Sequence, residues 1–278
     1  MVEFMIIKVL VENTSTSDNM KCEHGLSLYI ETKKHKIIFD LGASDLFVEN
    51  ANKMGIDLSE VDLVIISHGH YDHGGGLKAF LGVNSKAKIY LNQKAFDKHY
   101  VNKPSGEKVY IGLDEELVQN ERLVFVGDHI VIDDELELFS NVKGLRCKPS
   151  GNEDLLMESG NMVVQDDFAH EQNLIIKEYG KNLLIAGCAH NGIVNIMDYF
   201  YTRKNRFPSH VIGGFHLYNR SRNNYEDPKL VRQIGEYLNN TGGEFYTCHC
   251  TGIESYKRLK EIMGEKIEYL ATGSQLII

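Results

Sequence analysis

Three imidazoles and a carboxylate fall within six residues, His68-Gly69-His70-Tyr71-Asp72-His73, directly after the apolar run Leu63-Val64-Ile65-Ile66 and directly before Gly74-Gly75-Gly76. The apolar run reads as a buried strand, so His68 and His70, two apart at its end, point to one side. The glycines let the backbone pass close to a bulky centre and enter a helix over residues 77–81, which sets Asp72 and His73 near a helix N-terminus. Nitrogen and oxygen donors gathered this way suit one or two divalent metal ions, zinc first, with iron, manganese or cobalt as alternatives. The donors outnumber what a single open tetrahedral site takes, and two adjacent cations account for them more simply.

Such a centre needs further ligands from distant segments, and the candidates stand at strand ends. His190 follows the strand-like Asn182-Leu183-Leu184-Ile185-Ala186 in a glycine-bounded turn, with His170 as a substitute donor. His249 lies between two cysteines in Phe245-Tyr246-Thr247-Cys248-His249-Cys250. Cys-x-Cys without a second knuckle is not a zinc ribbon. As strand neighbours of His249, Cys248 and Cys250 are expected to face the core. Asp40, at the end of Ile37-Ile38-Phe39, is placed to accept a hydrogen bond from the far nitrogen of a metal-bound histidine or to cap the next helix. His216 closes Val211-Ile212-Gly213-Gly214-Phe215 and is left for substrate contact or proton donation, so that His216 and Asp72 are the candidate catalytic groups. His35, His99, His129 and His210 read as ordinary loop or surface positions.

Organisation is uniform along the chain. The 278 residues carry no Pro- or Gly/Ser-rich linker and no repeat, and the 4 prolines fall singly, which favours one domain over residues 1–278. A net charge of −9 argues against a general nucleic-acid or membrane-surface binder, although Arg203-Lys204-Asn205-Arg206, Arg220 and Arg222 are a local basic set for an anionic substrate. Five cysteines and a strand-like, acidic opening without a signal peptide suggest a reducing cytoplasm. No apolar stretch reaches the roughly 18 residues of a membrane span. Strands are expected at 6–11, 26–31, 36–39, 63–66, 88–91, 123–126, 130–132, 136–139, 174–177, 183–186, 211–213 and 275–278. Helices are expected at 44–54, 94–100, 193–203 and 229–239. Two strand-rich halves, each with helices, point to an α+β fold of two stacked sheets covered by helices.

The histidine motif, together with Glu23-His24-Gly25-Leu26-Ser27, Phe39-Asp40-Leu41-Gly42, Gly187-Cys188-Ala189-His190-Asn191-Gly192-Ile193, Gly213-Gly214-Phe215-His216-Leu217 and Cys248-His249-Cys250-Thr251-Gly252, resembles the metallo-β-lactamase superfamily. Within it the chain is similar to the branch of 7,8-dihydropterin-6-methyl-4-(β-D-ribofuranosyl)-aminobenzene-5′-phosphate synthase-like proteins. The resemblance implies a four-layer αββα sandwich with the site at one edge. It implies one metal on His68, His70 and His190 and a second on Asp72, His73 and His249, with Asn13, Glu23, His24 and Glu171 near the cleft mouth as substrate contacts. Cys188 stands where the commonest pattern has a bridging aspartate, and is expected beside the metals rather than ligating them. The implied activity is hydrolysis of a small ester, phosphoester or cyclic compound by a metal-activated water. The alternatives are a synthase that releases diphosphate, a di-iron redox centre, and a non-catalytic metal-dependent binding protein. The expected partner is a small molecule, with no nucleic acid and no membrane; the sequence leaves the oligomeric state open.

Overall fold

The central strands are apolar at every position because both of their faces are covered. In the computed structural model, which describes residues 4–278, Leu63 and Ile65 join one core cluster while Val64 and Ile66 join another. Ile37 and Phe39 likewise part from Ile38, and Leu183 and Ile185 part from Leu184 and Ala186. Since side chains alternate with period two, each such strand buries one set against the facing sheet and the other against helices.

Seven strands form the first sheet, in the spatial order Gln275–Ile277, Ile6–Val11, Ser27–Glu31, Lys36–Phe39, Leu63–Ile65, Lys88–Asn92 and Leu123–Val126. Its first four strands pair antiparallel and its last four parallel. The second sheet mirrors that plan, in the order Ile267–Tyr269, Glu244–Thr247, His210–Gly213, Lys181–Ile185, Gln172–Glu178, Leu136–Ser140 and His129–Val131. There the first four strands are parallel and the rest antiparallel. Between the sheets lies a core that includes Val9, Leu28, Phe39, Ile65, Leu138, Leu174 and Ile185. Helices Leu46–Lys53 and Leu77–Val83 cover the first sheet, and Ile193–Lys204, Pro228–Asn240 and Ile253–Met263 cover the second. The result is the αββα sandwich. Among the described residues no helix is long and apolar enough to cross a membrane.

Two differences from the sequence expectation bear on the site. Residues 94–100 form no helix: the chain turns and then runs as strand His99–Asn102, paired with Leu155–Ser159. Those two strands belong to a small four-stranded sheet, completed by Lys108–Tyr110 and Met162–Gln165, that local patterns did not signal. Its strands are half-exposed and short, so pairing across some fifty residues decides the conformation and overrides local propensity. The first helix also starts at Leu46 rather than Ser44, because the Glu23 carboxylate takes the Ala43 and Ser44 backbone N–H groups at 3.1 Å each.

Glu137 pins the second sheet to its covering helix. Its side chain, in strand Leu136–Ser140, accepts from Lys177 at 2.7 Å, from Lys204 at 2.5 Å and bonds His129 at 3.0 Å. Burial pushes its carboxyl up, but those donors outweigh it and hold the group down at about 2. A depressed carboxyl stabilises the fold above its unfolded value and loses that contribution as pH falls through the folded one. Glu137→Gln is expected to cost about 2–4 kcal/mol at pH 7 in urea unfolding. The difference from the unsubstituted protein should close between pH 4.5 and about 2.

Candidate metal centre

Every candidate donor sits at the C-terminal end of a parallel strand or in the loop that follows it. Asp40 follows Lys36–Phe39, the 68–73 motif follows Leu63–Ile65, Cys188 and His190 follow Lys181–Ile185, His216 follows His210–Gly213, and His249 follows Glu244–Thr247. The two sheets thus aim their loops at one edge. Four non-glycine residues in these loops, Asp40, Ala189, His216 and His249, have φ between 50° and 60°. Left-handed backbone at such residues is strained and is held by its surroundings. At His249 it also breaks strand alternation, since residues 249–251 form a single 3-10 turn. Cys248 therefore faces the inter-sheet core as expected. Cys250 does not: it lines the cleft.

Ring protonation follows from the partners. Ser67 Oγ donates to Asp40 Oδ2 at 2.7 Å and so accepts from His68 Nδ1 at 2.8 Å. His73 Nδ1 meets the same Asp40 oxygen at 2.6 Å. Asn152 Nδ2 donates to the His190 carbonyl, which leaves its Oδ1 for His190 Nδ1 at 3.0 Å. Asn13 Nδ2 likewise donates to the His249 carbonyl, and its Oδ1 takes His249 Nδ1 at 2.8 Å. Each of these four rings spends its Nδ1 proton on a fixed acceptor, which is how an outer partner sets the tautomer of a metal ligand. In a neutral ring Nε2 is then a bare lone pair. In His68, His190 and His249 that atom is buried and has no hydrogen-bond partner among the described residues, and the His73 Nε2 stands 3.1 Å from the Cys188 sulfur.

Buried polar atoms are otherwise almost always paired, so unpaired lone pairs gathered around a carboxylate fit a cation. The rings of His68 and His190 are 4.9 Å apart, those of His70 and His190 5.1 Å, and those of His73 and His249 5.0 Å. Asp72 Oδ2 lies 3.3 Å from His249 Nε2 and 3.7 Å from His73 Nε2. Burial pushes His68, His70 and His190 well below the ordinary imidazole range and keeps them neutral. Burial also disfavours charge on Asp72, but the neighbouring imidazoles outweigh it and hold the carboxyl well below its usual range. The geometry brings His68, His70, Asp72, His73, His190 and His249 together at one place.

Other expected residues land differently. His24 lines the cleft with Nε2 at 3.2 Å from Asp72. His216 does too, its ring 4.2 Å from that of His190 and both ring nitrogens unpaired. Glu23 is no substrate contact, because its carboxylate caps the chain at Ala43 and Ser44. Asn13 is turned to His249. Glu171 is buried and accepts from His190 N, Asn191 N and Asn191 Nδ2 at 2.6, 3.0 and 2.8 Å, so it shapes the His190 loop. His170 is not a substitute for His190, since its Nδ1 already accepts from Gly69 N at 2.9 Å. The Cys188 sulfur lies within 4.8 Å of donor atoms in both the His68/His190 and the His73/His249 sets, among the donors rather than behind them. Burial pushes its thiol well above the ordinary range. Ser67, Asn152 and Glu12, whose Oε1 takes His249 N at 2.6 Å, escaped the sequence analysis because nothing local marks them.

The donors open onto a cleft of about 550 Å³. Lys103, Arg220 and the rings of Tyr71, Tyr110 and Tyr218 line it. Of the basic set read from the sequence only Arg220 reaches it: Arg203 and Lys204 pair with Glu137, and Arg222 with Asp154.

Comparison with known proteins agrees with this architecture. Residues 20–114 match the family model of the metallo-beta-lactamase superfamily. A solved structure of a metal-dependent hydrolase of the beta-lactamase superfamily is 32% identical over 99% of both chains, with a TM-score of 0.82. An uncharacterized protein of Methanocaldococcus jannaschii is 29% identical over 92% of this chain and 94% of its own. The 7,8-dihydropterin-6-methyl-4-(beta-D-ribofuranosyl)-aminobenzene-5'-phosphate synthase of the same organism is 24% identical over 90% of this chain and 88% of its own.

Removing the acceptor behind His73 tests the tautomer argument. Asp40→Asn is expected to weaken the zinc equivalent that His73 serves about 10–100-fold, and the one that His68 serves through Ser67 by less, as measured by competition against a chromophoric chelator.

Proposed function

This chain belongs to the metallo-β-lactamase superfamily, and from that premise we propose that it is a metal-dependent hydrolase of a small anionic ester or phosphoester. The observation that carries the proposal is the set of buried imidazole nitrogens without hydrogen-bond partners among the described residues, gathered with Asp72 at a cleft that Lys103 and Arg220 line. His68, His70 and His190 would hold one ion, and Asp72, His73 and His249 a second. Bound divalent cations supply a water of lowered pKa and polarise an acyl or phosphoryl oxygen.

The side chains do the rest. Asp72 orients the attacking water, with His24 steadying the carboxylate from 3.2 Å. His216, on the opposite wall beside His190, holds a proton for the leaving oxygen. Lys103 and Arg220 attract the anionic part of the substrate, and the tyrosines give its apolar part a surface to lie on. A second reading, a synthase that expels diphosphate, is favoured by the 24% identical relative of that name; the same Lys103 and Arg220 would serve it.

Three outcomes are expected. Chelation should abolish turnover of chromogenic esters and phosphodiesters, and zinc, manganese or iron should restore it; release of diphosphate with no hydrolysis would favour the synthase. His216→Ala should lower turnover about 100-fold with metal content unchanged in elemental analysis. Zinc should bind in two equivalents of unequal affinity, because Cys188 replaces a bridging carboxylate and a neutral thiol offers the second ion no charge; calorimetric titration of apo-protein reads this directly.

A further inference from the structure

Four histidines of the centre have an assigned partner for Nδ1, but His70 does not follow that plan. Its Nε2 is buried without a hydrogen-bond partner among the described residues, and what surrounds it is a second polar cluster away from the cleft. Asp166 Oδ2 bonds His99 Nδ1 at 2.8 Å and His170 Nε2 at 3.3 Å, and its Oδ1 accepts from Phe168 N at 2.7 Å. His170 Nδ1 accepts the backbone N–H of Gly69, the residue between His68 and His70. All four side chains are buried, and one donor atom from each lies within 4.8 Å of the others.

The protons in this cluster can be assigned one by one. Because Gly69 donates to His170 Nδ1, the neutral His170 ring carries its proton on Nε2 and gives it to Asp166. The His99 Nδ1 proton is likewise spent on Asp166, which leaves His99 Nε2 as a bare acceptor; that atom too is buried and unpaired. The His70 and His99 rings stand edge to face, their centroids 5.5 Å apart, with no hydrogen bond between them. Gly69 makes this approach feasible, since a Cβ there would stand 2.2 Å from the Ala95 carbonyl oxygen and 3.0 Å from His99 Nε2.

We propose that His99, Asp166 and His170 are positioning residues that brace the HxH segment from behind: Asp166 fixes the His99 ring that packs against His70, and His170 holds the backbone N–H of Gly69 between the two ligands. The inference rests on the metal reading of His68, His70 and His190. It gives a role to His99, which the sequence marked as ordinary, and to the small sheet that carries it.

The test uses apo-protein of the unsubstituted chain, Asp166→Asn and His99→Asn, the last keeping an amide donor toward Asp166 while removing the ring that packs against His70. Each is titrated with zinc against a chromophoric chelator, and with cobalt while visible absorption is recorded. Both variants should weaken one equivalent about 10–100-fold and shift the cobalt spectrum of that equivalent, and it should not be the one that Asp40→Asn weakens most. A general loss of structure would move both equivalents together, and His99→Asn serves if Asp166→Asn does not fold. Affinities and spectra equal to those of the unsubstituted protein overturn the proposal. So does the loss of a third metal equivalent with the other two unchanged, which would make the cluster a metal site in its own right. An unsubstituted protein that binds no metal defeats the functional reading instead.

Discussion

One buried carboxylate, Asp40, ties the two halves of the metal motif together. It accepts from Ser67 N and Ser67 Oγ at 2.7 Å each and from His73 Nδ1 at 2.6 Å, with Ser67 Oγ passing the connection on to His68 Nδ1. An anion with no solvent exposure is costly unless it is fully hydrogen-bonded, and here its three donors are the start of the histidine loop and one of its ligands. Burial disfavours a proton on His73, but the charges of Asp40 and Asp72 outweigh that and lift it to about 9.

The rest of the site depends on how the sheets are wired. Parallel strands send their following loops to the same edge, and both sheets place their parallel strands where these edges meet. Two sequence-distant halves can then supply ligands to one point without long excursions of the chain. The functional loops stand on a scaffold whose interior is apolar on both faces of each sheet, so their left-handed residues draw on packing that they do not themselves provide.

How much of this was legible in the sequence divides by range. The histidine motif, the strands before it and the two sheets were readable because strand alternation and donor spacing are local. His190 and His249 could be placed because each follows a strand-like run. The expectation for Cys250 was wrong because alternation was carried past Cys248 into a turn where it no longer holds. Asn152, Asn13, Asp166 and His99 were unreadable in role, since each acts across a long sequence separation through one side-chain contact. Glu23 and Glu171 were assigned to substrate through the family resemblance, whereas backbone N–H groups claim both.

The small four-stranded sheet reaches the centre from two directions. Its strand ends and turns supply Val101, Lys103, Tyr110 and Leu155 to the wall of the cleft, while His99 and the Asp166 that follows its last strand stand behind His70. A substitution on the inward face of that sheet would therefore reach the cleft wall and the His99–Asp166 pair together, whereas one at its outer edge would reach neither.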